Sequence, residues 1–389
     1  MTSIRLKKGK ERPLLQGHHW IYSGAIAEKK ALSEELFASV FSHAGEKLGT
    51  AMLAPDGRSI SGHMLCYGEE SIEEAIHARI QSALLLRKNL FNPSETNVLR
   101  LINAEGDGIP GLIVDSYDGV LVLQISHPAL EGLKEKIVQE LILQVKPKAI
   151  YEKSTSFLRK KEGLEEVRAH LYGPEMEEVE VLENGLRYSV ELLDSQKTGL
   201  FLDQREMRGF VRQLSFGKRV LNCFAYTGGF SIAALKGGAL SVDSVDTGKK
   251  CERAIARNLA LNGLDGEKHR FFCEDAIRFI VEKPLEYDLV ILDPPAFAKQ
   301  KSSIDKAFRA YKELNRVAIQ KMAAGSVLVT SSCSYHVGEE LFQNILFRAS
   351  HEAGRRVKIV GWHRTAMDHP VSIFHPESSY LKSLVLFVE

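Results

Sequence analysis

The sequence predicts an α/β chain whose last half folds as a doubly wound seven-stranded sheet, preceded by a small mostly-β region and a central α+β region. Three observations predict it. From about Gly185 onward, short apolar runs alternate with segments of helical period, in the βα order of an open sheet. Before that, short apolar runs broken by Gly, Pro, Asp and Ser give way at Ser71 to a long stretch at helical spacing. One turn, Asn222 to Phe230, lies between an apolar run and a helix and carries paired glycines at its centre.

Length and composition agree with several cores. At 389 residues, 44% hydrophobic and 26% charged, the chain has material for two or three packed domains. We place them at residues 1–68, 69–184 and 185–389. The five cysteines (Cys66, Cys223, Cys251, Cys273, Cys333) show no C-x-x-C, which argues against zinc, or any metal centre, and against a disulfide scaffold. No stretch approaches a membrane span, and Arg5, Lys7, Lys8, Lys10 and Arg12 are not followed by the apolar run of a secretory signal. A cytoplasmic location is expected. The net charge of +1 hides a polarity: residues 1–30 hold seven Lys/Arg against Glu11 and Glu28, and residues 162–183 hold eight Glu. A basic face toward a phosphate backbone is one reading of this, a solvated surface the other.

Taken in order, Trp20-Ile21-Tyr22, Leu36 to Phe41 and Gly49 to Ala54 are short strands bounded by turns such as Pro55-Asp56-Gly57, a small barrel or sandwich. Beside the basic run, Gly17-His18-His19-Trp20 offers a stacking ring, suited to RNA or to a small β core. From Ser71, Ile72, Ala75, Ile76, Ile80, Ala83 and Leu84 mark a helix running to Phe91. Gly111 to Asp115 and Val120 to Ile125 form a hairpin over Asp118-Gly119, followed by a helix over 129–144. A second hairpin turns at Asn184-Gly185. In the last region strands are expected at 219–222, 241–246, 269–273, 287–293, 325–332, 357–363 and 383–389. In such sheets ligands gather at the carboxyl ends of the strands, and the ends here read Asn222 to Gly229, Asp246, Glu274-Asp275, Asp293 to Phe297 and Ser331 to Ser334.

The first of these ends organises the rest. Gly228 and Gly229 let backbone approach a ligand where a Cβ would collide, and they open a helix from Ser231. Seventeen residues past Gly229, Asp246 ends the next strand, where an acceptor for ribose hydroxyls belongs. The G-x-G-x-x-G that cradles a pyrophosphate is not present, so a nucleoside ligand without phosphates fits better. S-adenosylmethionine (SAM), with its adenosine, amino-acid tail and sulfonium, is such a ligand.

Several motifs in one order then carry a resemblance. Gln196-Lys197-Thr198-Gly199-Leu200-Phe201 with Leu202-Asp203-Gln204-Arg205, then Asn222 to Phe230, Asp293-Pro294-Pro295-Ala296-Phe297 and Ser332-Cys333-Ser334, resemble the class I SAM-dependent 23S rRNA cytosine-C5 methyltransferases that carry an N-terminal PUA domain. Lys7-Lys8-Gly9-Lys10 and His19-Trp20-Ile21-Tyr22-Ser23-Gly24 are similar to that PUA module. Glu105 to Leu112 is similar to the family's central domain. The resemblance implies a Rossmann-like methyltransferase domain, SAM as cofactor, rRNA (23S) as partner and a homodimer as one oligomeric option.

For the site it implies Cys333 as the nucleophile adding to cytosine C6 and Asp293 facing the base at N3 and its amine. It implies SAM held by Phe224, Ala225, Tyr226, Thr227, Gly228 and Gly229 at the amino-acid end, Asp246 at the ribose and Asp275 with Ala276 at the adenine, with Asp293 beside them. Asp203 and Arg205 would complete the site, or else form an internal salt bridge. Lys299, Lys301, Lys306, Arg309 and Lys312 form a basic loop and helix near the target cleft. Many RNA cytosine-C5 enzymes place a second cysteine after the first proline of the strand-four motif; Pro295 and Ala296 stand here, leaving Cys333 alone, with Cys223 its only rival. Two alternatives stay open: methylation of an exocyclic amine, which needs no cysteine, and a non-catalytic RNA-binding or assembly factor.

Overall fold

The computed structural model describes residues 2–30, 35–55, 57–192, 200–298 and 300–389. Asp56, Gln196 to Gly199 and Lys299, singled out above, lie outside the described residues. The chain divides into two compact units, one of Met1–Val181, Val190–Gly199 and Met367–Ser378, the other of Leu182–Ser189, Leu200–Ala366 and Ser379–Glu389. The hairpin of strands Glu178–Glu183 and Leu186–Glu191 carries the chain from one to the other.

In the first unit the N-terminal strands join into a single six-stranded sheet, not two facing ones. Its order is Trp20–Tyr22, Ile60–Tyr67, Lys47–Leu53, Phe37–Phe41, Ser3–Leu6 and Ile26–Lys30. The helix Ile72–Leu90 follows, started by a capping box in which Ser71 Oγ accepts from Glu74 N and the Glu74 carboxylate accepts from Ser71 N. A five-stranded sheet comes next, with the hairpin over Asp118-Gly119 as expected. The helix expected over 129–144 is instead two, Pro128–Glu131 and Lys134–Val145, broken at Gly132 and Leu133. Met52, Leu65 and Cys66 of the first sheet pack in one apolar cluster with Ile76, Ile80, Leu112, Leu121 and Ile137. The first 68 residues thus keep a cluster of their own, with Ile4, Leu6, Ile21, Val40 and Met64, and lend Met52, Leu65 and Cys66 to the core of the central region.

The motif Glu105 to Gly108 has a mechanical explanation. Arg87, 2% exposed, forks onto the Asp107 carboxylate at 2.6 and 2.8 Å and donates to Asp368 O at 2.7 Å. A Cβ on Gly106 would stand 1.9 Å from Pro370 O, so only glycine lets the segment 367–378 lie against this turn.

The second unit is the expected doubly wound sheet. Its strands, β1 (Arg219–Cys223), β2 (Ser241–Asp246), β3 (His269–Cys273), β4 (Leu289–Leu292), β5 (Val327–Ser332), β6 (Val357–His363) and β7 (Lys382–Val388), lie in the order β3-β2-β1-β4-β5-β7-β6. All neighbours pair parallel except β7, which is antiparallel to β5 and β6. The buried run Leu289 to Leu292 is what a strand covered on both faces requires. Strand order reverses between β1 and β4, and the crevice there is where the carboxyl ends can hold a ligand.

Candidate active site

The chain leaves β1 through a turn of unusual backbone. Phe224, Tyr226 and Gly228 all have positive φ (60°, 49° and 78°), and the first two are not glycine, a rare concentration in one turn. Asp246 holds this turn from the end of β2: Oδ2 accepts from Tyr226 N at 3.0 Å and Oδ1 from Gly248 N at 2.9 Å. Asn258 pins it from the side by donating to Thr227 O at 2.9 Å. Gly228 is required twice, by its φ and because a Cβ would stand 2.7 Å from Ile255 Cγ1. A carboxylate oriented by two amides beside a glycine-lined turn fits the ribose and amino-acid ends of SAM. Asp275 is exposed and caps the helix Ala276–Glu282, accepting from Arg278 N at 2.8 Å, with Ala276 buried behind it.

The segment ahead of β1 lies against the same turn. The Phe201 ring meets Tyr226 edge-on at 5.2 Å. Asp203 is buried and accepts from Tyr380 OH at 2.6 Å, while its carbonyl accepts from Ala366 N. Arg205, 1% exposed, has Nε 3.6 Å from Glu183 Oε2, the internal ion pair named above as the alternative to a cofactor contact. Glu183 is at the same time gripped by Arg208, which donates to both its oxygens at 2.7 Å. Arg208 was not among the residues the motifs pointed to.

At the ends of β4 and β5 the structure brings Asp293 and Cys333 to one place. Cys333 Sγ lies 3.8 Å from Pro294 O, and Asp293 Oδ1 accepts from Gln204 Nε2 at 3.1 Å. Gln204, buried, also donates to Ser331 Oγ at 3.3 Å, so one amide ties the two motifs together. Ser334 fastens the loop: its Oγ accepts from Ala298 N and bonds Tyr311 OH, and its carbonyl accepts from Lys382 Nζ at 2.8 Å. Burial lowers the Lys382 ammonium from its ordinary 10.5 to about 8. Gln204 and Lys382 were missed in the sequence, though a lysine opening the apolar run Leu384 to Val388 is a signal of a buried charge with a purpose.

The other cysteines separate by environment. Cys223 is the last residue of β1, not the first after it, and complete burial pushes its thiol far up. Burial also pushes Cys66 to about 11 and Cys251 to about 12. Cys273 is exposed at the end of β3. Cys333 is half-buried, with Pro294 O beside its sulfur. Of the basic loop, Lys301, Lys306 and Arg309 are exposed, whereas Lys312 is paired with Glu352 at 2.6 Å.

In the first unit, Lys7, Lys8, Lys10 and Arg12 are exposed beside a groove of ≈510 Å³ lined by His18, Trp20, Tyr22 and Glu377. Trp20 is half-buried, its ring edge-on to His375 at 4.5 Å and its Nε1 donating to Glu105 at 3.4 Å. His18, His375 and Glu377 bring ligand-type atoms within 4.8 Å. The Trp20 amide donates to His18 Nδ1, which leaves the ring proton on Nε2, 3.4 Å from Glu377. His375 stays outside that bond: its Nδ1 stands 4.0 Å from Glu377, and neither of its ring nitrogens has a hydrogen-bond partner among the described residues.

Comparison with known proteins agrees with this fold. Residues 108–353 match the family described as S-adenosylmethionine-dependent methyltransferase, and residues 4–66 match a PUA-like domain. The chain is 37% identical over 389 residues to "Ribosomal RNA large subunit methyltransferase I" of Alteromonas mediterranea, covering 99% of this chain and 98% of that one. It is 37% identical to the protein of the same name from Shewanella denitrificans, at 98% of each. Among solved structures, a candidate SAM-dependent methyltransferase from Streptococcus mutans superposes with a TM-score of 0.85 at 26% identity, covering 99% of this chain and 100% of that one. A methyltransferase candidate complexed with SAH, the demethylated form of the cofactor, gives 0.86 at 26% over the same shares.

Proposed function

The chain belongs to the S-adenosylmethionine-dependent methyltransferase family, and from that premise we propose that it methylates C5 of a cytosine in large-subunit (23S) rRNA, in the cytoplasm, through a covalent Cys333 adduct. The observation that carries the reading is the placement of the Cys333 thiol 3.8 Å from Pro294 O, next to an Asp293 carboxylate oriented by Gln204. The rRNA substrate rests on the names of the relatives and on the exposed basic side chains near Trp20.

Residues Phe224 to Gly229 and Asp246 would hold the cofactor, with Asp275 and Ala276 at its adenine. Bound there, SAM supplies an electrophilic methyl group on its sulfonium. Cytosine C5 is a poor nucleophile, and the chain's task is to change that. The Cys333 thiolate adds to C6, which makes C5 enamine-like. Asp293 accepts hydrogen bonds from the base edge as charge builds at N3 and the amine, and Pro294 and Pro295 stiffen the loop that aims it. Once C5 is substituted, loss of its proton expels the thiolate and restores the free enzyme.

Cys333→Ser should abolish turnover while cofactor affinity survives, because an alkoxide is far harder to form at neutral pH than a thiolate. RNA with 5-fluorocytosine at the target should trap a protein adduct, since fluorine cannot leave as the proton does. An active Cys333→Ser enzyme whose product carries the methyl on an exocyclic nitrogen would replace this reading with amine methylation, to which Asp293 to Phe297 is equally suited. Asp293→Asn impairs both and so decides nothing between them.

A further inference from the structure

Lys382 is a buried cation without a buried anion. It opens β7, its Cα in register with Ser332 on β5, and it is 6% exposed. Its Nζ donates to two carbonyls, Ser334 O at 2.8 Å and Tyr380 O at 2.7 Å. Among the described residues no carboxylate stands within ion-pair distance of it. Burying an ammonium on carbonyls alone is costly, and such a charge persists where it has a partner to meet. A residue able to become an anion, Cys333, stands between Ser332, which pairs with Lys382 in the sheet, and Ser334, which accepts its hydrogen bond.

We propose that Lys382 is the counter-cation of the Cys333 thiolate, a positioning residue that makes this sulfur anionic near neutral pH. The inference rests on the thiolate chemistry proposed above and explains how the thiol is activated. Its proton leaves to solvent, the bonding pair stays on sulfur, and Lys382 keeps its own proton throughout. The electrostatics run both ways: burial lowers the Lys382 ammonium to about 8, and the charge of Cys333 pulls it back up.

The titratable groups named around Lys382 and the Cys333 loop do not supply the charge. Tyr311, on the helix Ile304–Lys321, has its hydroxyl raised by burial and so stays neutral near pH 7. Asp293 is anionic and works against a thiolate, and Glu339, at the start of the helix Glu339–Glu352, favours the ammonium while paired with Arg364. Lys382 is the cation that the sheet register sets beside this loop.

The test is the pH dependence of iodoacetamide alkylation at Cys333 in the full chain, read by mass of the Cys333 peptide so that Cys273 and Cys251 do not interfere. Lys382→Gln should move the profile up by about one pH unit and slow alkylation at pH 7 about tenfold. Lys382→Arg should restore it, which loss of packing alone would not allow. Superimposable profiles for wild type and Lys382→Gln overturn the proposal. Cofactor affinity by calorimetry reports whether each variant is folded. If Lys382→Gln is not, the reciprocal measurement decides: Cys333→Ser should speed acetylation of Lys382 at pH 8, and an unchanged rate overturns the pairing. Alkylation needs no RNA, so a shifted profile without a 5-fluorocytosine adduct would keep the ion pair and sink the C5 reading instead.

Discussion

At the scale of single residues, the turn after β1, which we propose holds the cofactor, depends on Asp246 and Gly228. Asp246 accepts from Tyr226 N and Gly248 N, which fixes the carboxylate that we propose meets the ribose. Asp246→Ala should weaken SAM binding by about 1.5–3 kcal/mol, measured by calorimetry on a variant that still melts cooperatively. Unchanged affinity would take Asp246 out of the site. Gly228→Ala forces a Cβ to 2.7 Å from Ile255 at a φ of +78°, so it should lower stability by about 1–3 kcal/mol and weaken SAM binding as well. The calorimetric titration and a denaturant melt check the two halves separately.

At the scale of elements, the hairpin strand Glu178–Glu183 is fastened to the helix Arg205–Leu214 by charge. Glu183 and Arg208 are 2% and 4% exposed and joined by two bonds of 2.7 Å. Removing one partner strands the other in a low dielectric, so Glu183→Ala should cost about 3–5 kcal/mol in a denaturant melt. Replacing Glu183, Arg205 and Arg208 together by apolar residues should recover much of that loss, because the desolvation cost of all three charges disappears with them. On the helix Ile72–Leu90, Ser71→Ala removes a cap that Glu74 N donates to and should cost about 1 kcal/mol. The same melt reads it.

At the scale of the whole molecule, the shared core of the first unit bears on how RNA binding is tested. Deleting residues 1–68 would strip Met52, Leu65 and Cys66 from the core of the central region, so it perturbs more than a binding module. The cleaner experiment changes Lys7, Lys8 and Lys10 together to Ala. These are exposed, and rRNA affinity should fall while the salt dependence flattens by about 0.7–0.9 in log–log slope for each phosphate that a lysine no longer neutralises. An unaltered slope would place the RNA elsewhere. The first unit also holds four histidines whose ring pKa burial lowers: His19 to about 4, His63 to about 3, His127 to about 4 and His375 to about 4. The unfolded chain takes up these protons from about pH 6.5 and the folded one does not until far lower. Stability from them is fully present above pH 6.5 and is lost as pH falls toward 4, which a series of thermal melts from pH 7.5 to 4.5 should show.

The sequence by itself determined the order of the strands along the chain, their residues within a few positions, and which strand ends are candidates for chemistry. Period 2 against period 3.6, glycines in a turn and a carboxylate after the next strand are local signals, written in neighbouring residues. The helix break at Gly132 and Leu133 was less legible, because Leu133 continues the apolar pattern across it. What the tertiary structure decided depends on residues far apart in the chain. Whether Arg205 meets a cofactor or Glu183, whether Gln204 ties Asp293 to Ser331, whether the first strands lend side chains to the core of the central region, and what Arg87 does with Asp368 all turn on long-range packing. Lys382 shows the division most clearly. A lysine at the start of an apolar strand can be seen in the sequence, but only the antiparallel register of β7 on β5 sets its charge beside the loop of Cys333, because pairing in space, not spacing along the chain, brings two groups into one field.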